Sequence, residues 1–272
     1  MPADYHLHTP LCRHATGWPL EYAQRALALG LPEIGFSDHS PMPSYFDDWR
    51  MLDSELPRYV EAVEEARQAC PALPIRLGLE VDWLEGGASW IAALGQRAPW
   101  DYLIGSVHYL GDWNFDNPAE VARFSDFGIE AAWNRYWLLF NQAARSGFFD
   151  IMAHPDLVKK FCHQPGGDLS RYYEPAVQAC LDAGVAIEIN TAGLFKPIAE
   201  MYPAPGFLTL AAAAGIPLTI NSDAHAQEEV GRAFPAALTL AYQCGFTQLA
   251  RFHQRQRRLF PMDNPPARDW VI

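Results

Sequence analysis

Short apolar runs alternate with segments of helical spacing along most of this chain, and the runs end in histidine or acidic side chains. The runs are Ala3–His8, Glu33–His39, Ile75–Trp83, Tyr102–Tyr109, Ile151–Asp156, Val185–Asn190 and Leu218–Asp223. Between them, Leu56, Tyr59, Val60 and Val63 fall at i, i+3, i+4 and i+7, with Glu61, Glu64, Glu65 and Arg67 opposite. Ile129, Trp133, Tyr136, Trp137, Phe140 and Ala144 make a second stripe. That spacing predicts amphipathic helices whose apolar faces pack on a core. Gly30, Gly147, Gly184 and Gly215 each follow a helical stretch and precede a strand, the place of a helix-terminating glycine.

Seven strand–helix repeats within about 225 residues predict parallel strands joined by right-handed crossovers. An open sheet and a closed barrel both fit that order. An open sheet gathers ligands at one switch point. A barrel brings the C-terminal ends of all its strands to one mouth. Here the run ends carry His6 and His8, Asp38 and His39, Glu80, His108, His154, Asp223 and His225. Polar groups on nearly every strand end favour the barrel. The expected unit is a single domain over residues 1–272, with an irregular tail from about 255.

Composition removes several function classes. Lys plus Arg number 20 against 32 Asp plus Glu, a net charge of −12. The longest basic cluster is the short stretch Arg255–Arg258, so no broad nucleic-acid face is expected. Half the residues are hydrophobic, enough for a large core. No uninterrupted apolar run reaches the roughly 18 residues of a membrane span. No signal-peptide pattern is visible, so the cytoplasm is the expected compartment. The five cysteines show no C-x-x-C spacing and read as reduced thiols. Nothing in the pattern sets an oligomeric state.

Nine histidines are present. His163 and His253 lie in polar surroundings and are left aside. His6 and His8 are spaced H-x-H on an extended run, so both imidazoles face one side. Asp223 and His225 repeat that spacing. With His14, His39, His108, His154 and Glu80 they make seven imidazoles and two carboxylates near strand ends. Burying so many polar groups unpaired would cost roughly 1–3 kcal/mol each. Divalent ions remove that cost. Mixed nitrogen and oxygen donors suit Zn, Mn or Fe(II) better than Ca or Mg. Nine donors exceed one tetrahedral site, so two to three ions sharing a carboxylate are expected. Cys12 is read as a buried thiol, not a ligand. No phosphate-binding glycine loop, dinucleotide fingerprint, nucleophile elbow or H-E-x-x-H motif occurs.

The segments Asp4-Tyr-His-Leu-His-Thr-Pro-Leu-Cys-Arg-His14, Gly35-Phe-Ser-Asp-His39, Gly78-Leu-Glu80, Gly105-Ser-Val-His108, His154-Pro-Asp-Leu-Val, Glu188-Ile-Asn-Thr-Ala-Gly and Ser222-Asp-Ala-His225 together resemble the PHP (polymerase and histidinol phosphatase) superfamily. The resemblance runs from Asp4 to about Phe234. It is strongest to the stand-alone histidinol-phosphatases of histidine biosynthesis, through Gly105–Pro118 and Asn190-Thr-Ala-Gly-Leu-Phe-Lys196. It implies an α/β fold, a distorted (β/α)7 barrel, with three metal ions at the strand C-termini. It implies His6, His8, Glu80 and Asp223 around one ion, bridging Glu80 with His108 and His154 around a second, and His14, His39 and His225 around the third. Two positions depart from the pattern. Arg13 stands where glycine is common, and Phe195 where arginine is common.

The reaction implied is hydrolysis of a small phosphate ester, L-histidinol phosphate, with a nucleotide or sugar phosphate as the alternative substrate. A metal-bridging hydroxide is the expected nucleophile, because bound ions lower the pKa of water toward about 7. Arg13, Lys159, Lys160 and Lys196 are the expected phosphate contacts. Arg13 either replaces the basic group missing at Phe195 or faces solvent. Asp156 is the expected proton donor to the leaving group, or else it orients a ligand histidine. Asp38 is a further candidate for orienting a ligand. Asp112, Asp116, Glu120 and Asp126 are available to receive a cationic substrate end.

Overall fold

The computed structural model describes residues 1–262. In chain order its strands are β1 (Ile34–Phe36), β2 (Ile75–Leu77), β3 (Glu80–Asp82), β4 (Ile104–Ser106), β5 (Tyr109–Leu110), β6 (Trp113–Asn114), β7 (Ile151–Met152), β8 (Ala186–Asn190), β9 (Leu218–Asn221), β10 (Gln248–His253) and β11 (Gln256–Pro261). β3, β4, β7, β8 and β9 form one parallel sheet in that order. β1 pairs with β2, also in parallel.

The N-terminal segment closes the ring. Asp4 bridges Ile34 on one side and Leu7 bridges Ala224 on the other, both in parallel sense. The His8 N–H donates to the Ala224 carbonyl at 3.0 Å, and the Ser37 N–H to the Leu7 carbonyl at 2.9 Å. A His39–Glu80 bridge ties the end of the β1 run to β3. Seven extended segments therefore follow one another around a closed barrel in chain order. The first has only isolated bridges, which is where the barrel is distorted. The apolar runs of the sequence all fall on this ring.

The helices α1 (Pro19–Leu29), α2 (Leu56–Ala69), α3 (Ala88–Leu94), α4 (Arg123–Phe127), α5 (Ile129–Arg145), α6 (Ser170–Ala183), α7 (Pro205–Ala213) and α8 (Phe234–Gln243) occupy the connections and the outside. Tyr59 and Val63 of α2 and Trp133, Tyr136, Trp137 and Phe140 of α5 are buried, so the aromatic stripe is core. Gly30 and Gly184 end α1 and α6 at φ of 67° and 66°, and their N–H groups return to Ala26 and Cys180. A left-handed residue there closes a helix end that other side chains resist. Among the described residues, no helix is long and apolar enough to cross a membrane.

The barrel interior has two zones. Its lower part is an apolar plug of Tyr5, Tyr102, Ile104, Ile151 and Phe252. The Tyr102 hydroxyl donates to the carbonyls of Tyr5 (2.6 Å) and Phe36 (3.1 Å). Its ring lies where a Cβ on Gly78 would approach to 2.4 Å, so that glycine makes room for the plug. Phe252 comes from the β10–β11 hairpin, which covers this end. That corrects the expected tail, since Gln256–Pro261 is a strand in antiparallel register with Gln248–His253. The rest of that tail, 263–272, lies outside the described residues. Above the plug the interior turns polar, with His6, Glu80, His154 and Glu188 all buried.

Candidate metal centre

Glu80 is the hub of the polar zone. Its Oε2 lies 2.9 Å from His39 Nδ1, 3.3 Å from His6 Nε2 and 3.8 Å from His8 Nε2. Its Oε1 lies 3.0 Å from His154 Nε2 and 3.6 Å from His108 Nε2. Asp223 Oδ1 stands 3.1 Å from His8 Nε2 and 3.7 Å from His6 Nε2. His225 stacks on His8 with ring centroids 4.0 Å apart, and His14 lies 4.6 Å from His225. All nine donors expected from the sequence thus meet at one end of the barrel. Among the described residues, five overlapping groups have ligand atoms within 4.8 Å of one another: His6, His8 and Glu80; His39, Glu80 and His108; His8, His39 and His225; and, with the buried Cys12 thiol, Cys12, His14 and His225, and His8, Cys12 and Asp38.

The surrounding scaffold selects which ring nitrogen faces inward. His6 Nδ1 lies 3.1 Å from Glu188, His8 Nδ1 3.4 Å from Asp38, and His108 Nδ1 2.8 Å from Asp82. His14 Nδ1 lies 2.8 Å from the Cys12 carbonyl, and His225 Nδ1 3.1 Å from the Asp223 carbonyl. An ionised carboxylate or a carbonyl only accepts, so with a metal ion on Nε2 each of these Nδ1 atoms would carry the proton toward its partner. Of these, Asp38 was foreseen. Glu188 and Asp82 were missed, although each leaves a signal. Glu188 is a lone carboxylate within the apolar run Val185–Asn190, and Asp82 shares a strand face with Glu80 at i+2.

The metal-free electrostatics are those of a cation site. Burial works to raise the Glu80 pKa, yet His6, His39 and His108 hold it well below the carboxylate range. His14 is pushed down to about 4 by burial and by His39 and His8, which favours the neutral, ligating imidazole. His225 is driven far down by burial, with His8 adding to the effect. His6 Nε2 and His225 Nε2 are buried with no hydrogen-bond partner. Orphaned lone pairs converging on one point fit divalent ions, which would satisfy them together.

A cavity of about 330 Å³ opens over this cluster. His14, His39, Glu80, His108, His154, Asp223 and His225 line it, together with Lys160, Lys196 and Arg232. Three of the expected substrate contacts are corrected here. Arg13 follows the turn Pro10–Cys12 in the left-handed region, and its guanidinium pairs with Glu55 outside the cavity. Lys159 is buried between Asp156 (3.1 Å) and Glu200 (2.8 Å), so of the two adjacent lysines Lys160 reaches the cavity. Asp156 is wholly buried, accepts from the Ala204 N–H at 2.8 Å, and is absent from the cavity lining. Burial raises its pKa to about 7 against the pull of Lys159. The i+2 spacing from His154 misled because β7 ends at Met152, and both His154 and Asp156 have positive φ. Arg232, missed in the sequence, lies 4.7 Å over the Phe195 ring.

The Arg13–Glu55 pair is solvent-exposed, and such pairs contribute about 0–1 kcal/mol. Arg13→Ala should therefore leave kcat and KM within about twofold of the parent. A steady-state assay checks this, and a tenfold rise in KM would return Arg13 to the substrate.

Comparison with known proteins agrees with this architecture. The PHP domain family matches residues 4–192. A Deinococcus radiodurans protein named "Probable histidinol-phosphatase" is 45% identical over 237 residues, 86% of this chain and 90% of that relative. The histidinol-phosphatase of Bacillus subtilis is 31% identical over 261 residues, 86% of this chain and 97% of the relative. The crystal structure of Lactococcus lactis histidinol phosphate phosphatase, complexed with zinc, L-histidinol and phosphate, matches with a TM-score of 0.81. That likeness covers 94% of this chain and 98% of the other at 24% identity, and it speaks for the fold. With its motifs at the mouth of a seven-stranded barrel and the family match over most of its length, the chain belongs to the PHP domain family.

Proposed function

We propose that this protein is a metal-dependent phosphomonoesterase that hydrolyses L-histidinol phosphate to L-histidinol and phosphate, a step of histidine biosynthesis. The observation that carries the reading is the convergence of seven imidazoles with Glu80 and Asp223 beneath a cavity that also bears Lys160, Lys196 and Arg232. The named relatives support the substrate. His6, His8, His14, His39, Glu80, His108, His154, Asp223 and His225 would hold two to three divalent ions, zinc, iron or manganese. When bound, such ions supply positive charge for phosphate and a water of lowered pKa as nucleophile.

The chain's own groups do the rest. Glu188, Asp82 and Asp38 hold His6, His108 and His8 in the ligating tautomer. Lys196 lines the cavity and, among the described residues, has no carboxylate partner, so it is free to meet the phosphate. Of the four acidic candidates, only Asp116 lines the cavity. Asp112 and Glu120 are both engaged by Arg123. Asp116, held by Lys160 at 2.7 Å, is the group placed to receive an ammonium or imidazolium.

The test is phosphate release by metal-reconstituted protein from L-histidinol phosphate, a nucleoside monophosphate and p-nitrophenyl phosphate. Recognition of a cationic leaving group predicts a kcat/KM for histidinol phosphate about 100-fold or more above the others. Equal rates on all three would keep the phosphatase chemistry and discard the substrate. No release from any would discard both.

A further inference from the structure

We infer that Arg232 is a phosphate-binding group of this site and that Phe195 serves to hold its guanidinium there. The inference rests on the reading that a phosphomonoester enters the cavity. Four cationic side chains line that cavity: Arg50, Lys160, Lys196 and Arg232. Arg50 is held by Asp47 (2.6 Å), Asp82 (3.0 Å) and the Ser40 carbonyl (3.2 Å). Lys160 is engaged by both the carbonyl (2.9 Å) and the carboxylate (2.7 Å) of Asp116. Lys196 is a flexible point charge on an exposed stem. Arg232 is anchored, keeps one donor free, and is the more exposed of the two guanidiniums, 15% against 6% for Arg50.

Its anchoring is specific. Nε and Nη2 donate to the Ser222 carbonyl at 3.3 and 3.2 Å, and Nη2 also reaches the Asp223 carbonyl at 3.4 Å. Nη1 donates to Glu229 at 2.6 Å. Glu229 also accepts the His225 N–H at 2.7 Å. The guanidinium is thus tied to the backbone of both candidate ligands, Asp223 and His225. A guanidinium has five N–H donors, and these contacts leave one of the two on Nη1 unused. Phe195 covers one face of the group at 4.7 Å. That ring is 59% exposed, so its outer face is open to solvent while its inner face meets the guanidinium. Stacking fixes the plane of the guanidinium and keeps water from one face, which aims the remaining Nη1 donor.

Arg232 touches ligand-bearing backbone, so a purely structural role must be separated from a phosphate contact. The experiment compares metal-loaded parent, Arg232→Gln, Arg232→Lys and Phe195→Ala. It reads inorganic phosphate binding by calorimetry, phosphate inhibition of p-nitrophenyl phosphate turnover, inhibition by L-histidinol, and metal content per chain. Arg232→Gln should weaken phosphate about 10- to 100-fold. The Lys variant should fall between it and the parent. Phe195→Ala, at an exposed position that folding tolerates, should weaken phosphate in the same direction by a few-fold. Inhibition by L-histidinol, which has no phosphate, and metal content should stay within twofold of the parent. Unchanged phosphate affinity in Arg232→Gln overturns the inference. So does a parallel loss of histidinol affinity or of metal, because that is the signature of a structural role. If the metal-loaded parent itself binds no phosphate, the reading of the whole cavity falls, and that outcome is distinct from a failure of Arg232 alone.

Discussion

Glu80→Gln should lower kcat/KM by about 10³-fold or more, an effect of several kcal/mol of lost metal-ion catalysis. The substitution changes one oxygen to an amide and preserves volume, so the barrel should fold. What changes is the hub. Both carboxylate oxygens of Glu80 face imidazole nitrogens, with Oε2 at 2.9 Å from His39 and Oε1 at 3.0 Å from His154. An amide turns one of those faces into a donor and removes the negative charge that two neighbouring cations would share. Metal content per chain, measured by atomic emission, should fall together with activity, while circular dichroism stays that of the parent. Full metal content with more than a tenth of the parent's activity would show that Glu80 is not the shared ligand.

The second large effect is expected at Glu188, which touches no cavity. Its carboxylate takes His6 Nδ1 at 3.1 Å, the His154 N–H at 2.8 Å, Asn190 Nδ2 at 2.9 Å and Asn221 Nδ2 at 2.6 Å. It joins two candidate ligands on opposite sides of the barrel, and all of these groups are buried. Glu188→Gln sets an amide N–H₂ against donors. Disrupting such a buried charged network costs about 3–5 kcal/mol. In a chain of this size that lowers Tm by roughly 10 °C. Loss of the group that orients His6 should weaken metal binding about 10- to 100-fold. Burial works to raise the Glu188 pKa, but His6 and its other partners hold it below the ordinary 4.5. Its stabilising contribution is therefore complete above that ordinary value and is lost as pH falls through the lower folded one. In metal-free protein, the stability gap between parent and variant should be widest near neutrality and narrow on acidification below about 4.5. A gap that is flat across that range would remove the charge from the explanation.

The nine metal-type side chains were legible because their chemistry leaves few choices. Imidazoles at H-x-H spacing and carboxylates closing apolar runs have no cheap apolar explanation, and the barrel is what brings seven strand ends together. The helices were legible through their period, and the α5 aromatics proved to be core as that period implies. Glu188 escaped notice because it lies within a strand, and Asp82 because it follows the more conspicuous Glu80 on the same short strand. Arg232 escaped because its nearest recognisable motif, Ser222-Asp-Ala-His225, ends seven residues earlier. Arg13 was assigned as a replacement for the basic group missing at Phe195, and Lys159 and Asp156 by sequence distance from a ligand. That rule fails once the chain leaves the extended conformation, as the positive φ values of His154 and Asp156 show.

Sequence alone determined the order of strands and helices, the barrel over the open sheet, and the set of candidate donors, since periodicity and ligand chemistry act locally. Tertiary structure alone decided which nitrogen of each imidazole faces the centre and which cations line the cavity above it. Those outcomes depend on partners far away in the chain, such as His6 with Glu188, Arg13 with Glu55 and Arg232 with Phe195. Whether a charge faces a ligand depends on which groups the fold sets around it, and that balance is struck in space.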